Sequence, residues 1–231
     1  MSVAYYIDMA LRILVSKISD GSMKTLDEAE FDAVKESRIN FLLKNNLNPD
    51  AATLLRIEYN GDNYKRYIIA NDELGGDGIV SKSTIVCDAI VTTDLNHPIL
   101  LPLADCIGAV LYDESKNVLM VSHLGRHSLE QFGGSTSVEY LVKRFGVNPK
   151  DLKVWLSPAA GKEVYPLFAF DNRSLHEVAS EQLISAGVLP QNIDVSPIDS
   201  AQDEDYFSHS QFLKEKRNHD GRFAIVAFID K

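Results

Sequence analysis

Cysteine is scarce in this chain. Only Cys87 and Cys106 occur among 231 residues, with no C-x-x-C pair, so a disulfide framework is not expected and both thiols read as free in a reducing cytoplasm. Cationic charge is also short: 23 Lys plus Arg against 33 Asp plus Glu leave a net charge of −10. That balance favours solubility and opposes binding to a polyphosphate backbone, so nucleic acid is not an expected partner. The one local basic run, Lys214, Lys216 and Arg217, reads as a solvated loop. Long apolar runs are missing too. The longest, Pro98 to Tyr112, is interrupted by Asp105 and is too short to span a membrane. The opening stretch carries Asp8 and Arg12 and no signal-peptide pattern, which suits a folded strand or helix. No repeat, low-complexity tract or Pro/Gly/Ser-rich linker divides the sequence, so one domain is expected over residues 1–231.

What is present is a change of period along the chain. Leu26 to Lys44 is acidic at its start and basic at its end, with Phe31, Val34, Phe41 and Leu42 near helical spacing, and Pro49 lies beyond it. Strand-like runs follow at Thr53–Tyr59, Lys65–Ala70, Thr84–Thr93, Ile99–Leu103, Ile107–Tyr112 and Val118–Ser122. Asn60-Gly61-Asp62 predicts a hairpin turn between the first two. Gly75-Gly76-Asp77-Gly78 lacks a following Lys-Ser/Thr and reads as a loop reversal, not a phosphate loop. Two capping boxes, Thr136-x-x-Glu139 and Ser174-x-x-Glu177, open helices that stop at Gly146 and Gly187. A strand over Leu152–Leu156 separates them, and Phe223–Ile229 is a final buried strand. Hairpins early and crossover helices late predict an α+β domain of layered mixed sheets flanked by helices.

Polar clusters interrupt the apolar strands at Leu103-Ala104-Asp105-Cys106 and at His123-Leu124-Gly125-Arg126-His127-Ser128. Desolvating Asp or His costs several kcal/mol unless the group is paired, so such junctions either bury a satisfied side chain or mark a site. These two stretches resemble the T-A-D-C and H-A-G-W-R-G motifs of the laccase-domain family. Its members carry an older label of multicopper polyphenol oxidases and are associated with purine nucleoside phosphorylase activity. Four further stretches resemble the family in order: Cys87 to Asp94 (D-A-L-V-T-D), Trp155 to Gly161 (W-L-G-P-A-I-G), Tyr206 to His209 (F-F-S-Y/H) and Asp220 to Ala224 (T-G-R-M-A). Ser37-Arg38 stands where the family has N-R on a helix.

The resemblance implies phosphorolysis of purine nucleosides such as adenosine and inosine, with inorganic phosphate as co-substrate and adenosine deamination beside it. It also implies zinc held by one Cys and two His, which carries over to Cys106 and His123. The third place falls on Tyr59, where a phenol replaces imidazole. Asp105 is a candidate to orient or accept a proton. Arg126, His127, Ser208, His209 and Arg222 are candidates for phosphate or substrate, and His127 is an alternative ligand or base. Two other outcomes stay open: a metal-free Cys106–His123 hydrolase-like dyad, or a chain that keeps the fold and only binds nucleotide or a partner. A monomer or small homo-oligomer is expected. The six His, at 97, 123, 127, 176, 209 and 219, do not supply the ligands of several copper ions.

Overall fold

The computed structural model describes residues 3–6, 10–24, 31–59 and 61–230. Its strands are β1 (Val3–Tyr6), β2 (Leu11–Val15), β3 (Thr53–Leu54), β4 (Tyr67–Ile69), β5 (Ala89–Thr92), β6 (Ile99–Leu103), β7 (Ile107–Asp113), β8 (Val118–Leu124), β9 (Lys153–Leu156), β10 (Ile193–Val195) and β11 (Phe223–Ile229). The α-helices are α1 (Phe31–Lys44), α2 (Arg126–Glu130), α3 (Gly133–Phe145), α4 (Leu175–Ser185) and α5 (His209–Leu213). The strands form two mixed sheets, ordered β1-β2-β11-β6-β3 and β10-β9-β7-β8-β5-β4. In the first, β3 is parallel to β6 and the rest is antiparallel; in the second, only the outer pairs β10/β9 and β4/β5 are parallel.

Side chains alternate across a strand with period two, and that alternation sorts this core into layers. Leu11, Ile13, Leu101, Leu103, Phe223 and Ile225 of the first sheet meet Ile90, Val110, Tyr112, Leu119, Val121 and Trp155 of the second. The opposite face of the second sheet, including Ala109, Leu111 and Met120, packs on Val138 and Leu141 of α3 and on Leu175, Val178 and Leu183 of α4. The opposite face of the first sheet, including Leu14, Leu100 and Val226, packs on Phe41 and Leu42 of α1. The architecture is therefore α/β/β/α in layers, the α+β arrangement expected. Covered on both faces, β7 and β8 read as continuous apolar runs with every residue buried.

Several local expectations are corrected. The Asn60-Gly61-Asp62 stretch does not close a hairpin, because β3 joins the first sheet and β4 the second; Asn60 itself lies outside the described residues. The strand predicted over Thr53–Tyr59 is regular only at Thr53–Leu54. Thr136 is not a cap: α3 starts at Gly133, and the Thr136 hydroxyl bonds the Phe132 and Gly133 carbonyls instead. The start of the first predicted helix, Leu26 to Glu30, lies outside the described residues, and α1 runs from Phe31. The Ser174 capping box is present in full, its hydroxyl accepting from the Glu177 N–H while the Glu177 carboxylate accepts from the Ser174 N–H. Among the described residues no helix is long and apolar enough to cross a membrane.

Ser174→Ala removes an N-cap acceptor and is expected to lower the unfolding free energy by about 1 kcal/mol. Urea denaturation measures it, and a midpoint equal to wild type would show that α4 does not depend on its cap.

Candidate active site

β6 belongs to the first sheet and β7 to the second, so the chain must change layers within Ala104-Asp105-Cys106. Asp105 takes the left-handed conformation there, φ 79°, which Asp tolerates better than most residues. Its carboxylate is 2% exposed for the residue as a whole and is fully engaged: the Ser208 hydroxyl donates to Oδ1 at 2.5 Å and the Ser210 N–H to Oδ2 at 2.7 Å. Its carbonyl accepts from the Ala160 N–H. Asp105 and Ser208 therefore bond each other, and what they position is the turn.

Cys106 leaves that turn pointing toward β8. Along β8, Leu119 and Val121 face the inter-sheet core, and the same period places His123 on that face at the end of the sandwich, where it is buried. Both side chains converge beside Gly125. A Cβ built on Gly125 would sit 2.9 Å from Cys106 Sγ, 2.7 Å from His123 Cε1 and 3.2 Å from His123 Nε2. Glycine is needed at this position because the sulfur and the imidazole occupy the space of a side chain.

Burial decides the protonation of the pair. It pushes the Cys106 thiol up to about 12, with the charge of Asp105 adding to the effect against Arg222 and an Arg126 backbone hydrogen bond. It pulls His123 down to about 4 despite Asp88 nearby. Around neutrality the pair is a thiol and a neutral imidazole. Burial also raises the Tyr59 phenol above its ordinary value, with Cys106 adding to the effect and Arg222 opposing it. Tyr59 is 57% exposed overall, while its ring lies 6.3 Å from those of His123 and His127.

These groups line one cleft of about 490 Å³, within the size range of small-molecule sites. Arg126 and Arg222 are also on its wall. Arg126 lies over the rings of Tyr165 at 4.8 Å and Phe168 at 5.9 Å, and its buried Nε has no hydrogen-bond partner among the described residues. Arg222 donates to Asp220 Oδ1 at 2.6 Å, which also contacts His209 Nδ1 at 2.9 Å, while Lys24 pairs with Oδ2 at 3.1 Å. Burial opposes ionisation of Asp220, but hydrogen bonds from Arg222 and His209 hold it well below the usual carboxylate range. One carboxylate thus fixes three basic side chains on one wall.

The structure brings Tyr59, Asp105, Cys106, His123, Arg126, His127, His209 and Arg222 to this cleft and leaves Ser208 behind it. His127, on α2, is stacked on Tyr64 at 4.9 Å with an interplanar angle of 16°. Sequence reasoning missed Lys24, Tyr64, Tyr165 and Asp220. Asp220 was visible as the first residue of the Asp220-Gly221-Arg222 stretch; the other three carry no local signal. Also missed was the buried Asp88 carboxylate, which accepts from Arg66 Nε at 2.8 Å and from its Nη2 at 2.9 Å and joins β4 to the strand beside His123.

A zinc centre of the expected kind needs a third protein donor. Among the described residues no third His, Cys, Asp or Glu joins Cys106 and His123 in a group with ligand atoms within 4.8 Å, and the raised Tyr59 phenol is a poorer donor than the imidazole it replaces. The residues present supply two donors and do not fit a three-ligand zinc site. Among the described residues the trio that does meet this spacing is Asp72, Asp94 and His97. The other histidines are engaged separately, His176 with the Ser157 carbonyl and His209 with Asp220. Among the described residues no cluster resembles a multicopper ligand set.

The pH dependence of stability carries a sign. The native state resists protonating His123 until about 4, whereas the unfolded side chain takes its proton near 6.5. This contribution is therefore complete above pH 6.5 and is lost as pH falls toward 4, by up to about 3 kcal/mol. His123→Gln should flatten that part of the unfolding free energy between pH 7 and 4. An unchanged slope in the variant would place the acid sensitivity elsewhere.

Residues 33–173 match the sequence model of the multi-copper polyphenol oxidoreductase laccase family. The fold is similar to the solved structures of hypothetical protein YfiH from Bacillus licheniformis (17% identity, TM-score 0.81, 95% of this chain and 93% of that one) and YlmD from Geobacillus stearothermophilus (17%, 0.85, 98% and 94%). Protein NMB0706 of Neisseria meningitidis is similar over 100% of this chain and 99% of its own, at 14% identity and TM-score 0.72. No curated protein sequence matches.

Proposed function

Because this chain belongs to the multi-copper polyphenol oxidoreductase laccase family, we propose that its cleft houses a purine nucleoside phosphorylase-type reaction on adenosine- or inosine-like substrates. The observation that carries this reading is that two guanidinium groups, Arg222 and Arg126, whose buried Nε has no partner among the described residues, line one cleft with the Cys106 thiol and the Tyr59 phenol. Guanidinium groups bind phosphate through charge-assisted, often bidentate hydrogen bonds. His209, held by Asp220, adds a donor on the same wall.

Hydrogenphosphate held there attacks C1′ of the ribose. A C1′–O bond forms, the C1′–N9 bond breaks, its electron pair goes to the purine, and the phosphate's proton ends on the base. The products are a free purine and ribose 1-phosphate. The Cys106 thiol and Tyr59 phenol are hydrogen-bond donors suited to the leaving purine, and the neutral His123 imidazole can accept from one partner and donate to another. Tyr59, Tyr165 and His127, the last backed by Tyr64, offer flat faces to the base. The donor set favours phosphorolysis over deamination, which needs an activated water. The same protonation states work against a Cys106 thiolate paired with an imidazolium, so the hydrolase-like dyad is the weaker reading.

Purified protein incubated with adenosine, inosine or guanosine should release free purine only when phosphate is added, as followed by chromatography. Arg222→Gln and Arg126→Gln are each expected to raise KM for phosphate by about 10- to 100-fold, the loss of one charged hydrogen-bonding partner. Absence of base release from every purine nucleoside would end this reading. Gly125→Ala places a methyl group against Cys106 and His123 and should lower kcat by about tenfold or more through displacement of the pair. Full turnover in a folded Gly125→Ala protein would show that the pair's spacing is immaterial.

A further inference from the structure

The opposite end of β6 carries a second polar cluster. His97 precedes the strand where Cys106 follows it, so the two lie beyond opposite ends of Ile99–Leu103. Asp72 opens the 3-10 turn Asp72–Leu74, and Asp94 sits in the loop between β5 and β6. One ligand atom from each of Asp72, Asp94 and His97 lies within 4.8 Å of the other two. The backbone under both loops is tied down: the Leu74 carbonyl accepts from the Thr53 hydroxyl, the Gly76 N–H bonds the Ala52 carbonyl, and the Asn96 N–H bonds the Ile229 carbonyl.

Hydrogen-bond roles then fix the His97 tautomer. Thr53 Oγ1 contacts the Leu74 carbonyl and His97 Nε2, each at 2.8 Å. A carbonyl only accepts, so the single hydroxyl proton of Thr53 goes to Leu74. His97 Nε2 must therefore carry the hydrogen that it shares with Thr53. In the neutral ring that leaves a lone pair on Nδ1, in a residue only 3% exposed as a whole. Neither carboxylate has a Lys or Arg partner or a side-chain hydrogen bond among the described residues, whereas Asp77 nearby is satisfied by Ser83 and Thr84. A ring nitrogen of His97 and an oxygen from each carboxylate converge, and the Thr53 hydroxyl holds the orientation of the imidazole. A cation satisfies all three together.

We propose that Asp72, Asp94 and His97 bind a divalent first-row transition cation that staples the Asp72–Leu74 turn to the loop entering β6, at a site separate from the nucleoside cleft. One imidazole with two carboxylates is a mixed N/O donor set, which suits zinc and, less tightly, manganese; magnesium prefers oxygen ligands alone. Asp72 is exposed and gives the ion a path from solvent. The Thr53 hydroxyl orients the imidazole from behind and belongs to the same site.

The test uses the full chain carrying Cys106→Ala, so that the cleft thiol cannot contribute, stripped with chelator and titrated with Zn²⁺, Mn²⁺ and Mg²⁺ by calorimetry. One equivalent of Zn²⁺ should bind, more tightly than Mn²⁺, with Mg²⁺ weakest, and the melting temperature should rise on adding zinc. Adding Asp72→Asn and Asp94→Asn, conservative changes at partly or fully exposed positions, should weaken zinc binding at least tenfold and abolish the thermal shift. His97→Gln should do the same provided its circular dichroism matches the parent. Failure of the Cys106→Ala protein to bind zinc, or binding that is undiminished in the double Asp→Asn variant, would overturn the proposal.

Discussion

A carboxylate taken out of water must be repaid by hydrogen bonds, and the Asp105 carboxylate finds its donors on a segment more than a hundred residues away. Ser208 and the Ser210 N–H close on its two oxygens, and the Ala160 N–H closes on its carbonyl. Three separate stretches of chain are thereby fixed where the first sheet hands over to the second. Each wall of the cleft depends on that junction. Cys106 follows it directly, α5 brings His209, and β11 begins one residue after Arg222. A buried charge left without these donors would cost several kcal/mol, so the turn and the segment around Ser208 are expected to order together.

Much of the layer structure was legible because it rests on periodicity. Ile99–Leu103 and Phe223–Ile229 have the same limits in the sequence pattern and in the structure, and the Ser174 box opens its helix as read. These are segments whose local preference and tertiary burial agree. The errors fall where they diverge. Asn60-Gly61-Asp62 has the composition of a hairpin turn, but turn chemistry does not say in which sheet each flanking strand will find its neighbour. Thr136-x-x-Glu139 has the form of a cap, but α3 begins earlier at two glycines whose lack of side chains lets the helix approach Ser128 and Gln182.

The site was legible in its residue types more than in its roles. Cys106 and His123 stand 17 positions apart, and only the antiparallel pairing of β7 with β8 makes them neighbours. Asp105 and Ser208 were read as a proton acceptor and a phosphate ligand; the structure bonds them to each other. Lys24 and Tyr165 come from segments without a motif, and nothing short of the folded chain could place them in the cleft. Among the described residues Cys106 and His123 have no third His, Cys, Asp or Glu at ligand spacing; Tyr59 stands in the expected third place and His127 stacks on Tyr64.

The position of β11 in the first sheet bears on how this protein is made. It lies between β2 and β6 and pairs with both, so the last described strand sits beside the second. A ribosome must deliver residues 223–229 before that sheet can gain its middle. Until then β2 and β6 present unpaired edges and bare apolar faces to the cell. The second sheet can form sooner, because β4, β5, β7, β8, β9 and β10 are all synthesised by Val195. Assembly during translation should therefore be staged, with a half-built intermediate that is vulnerable to edge-to-edge association and to chaperone capture.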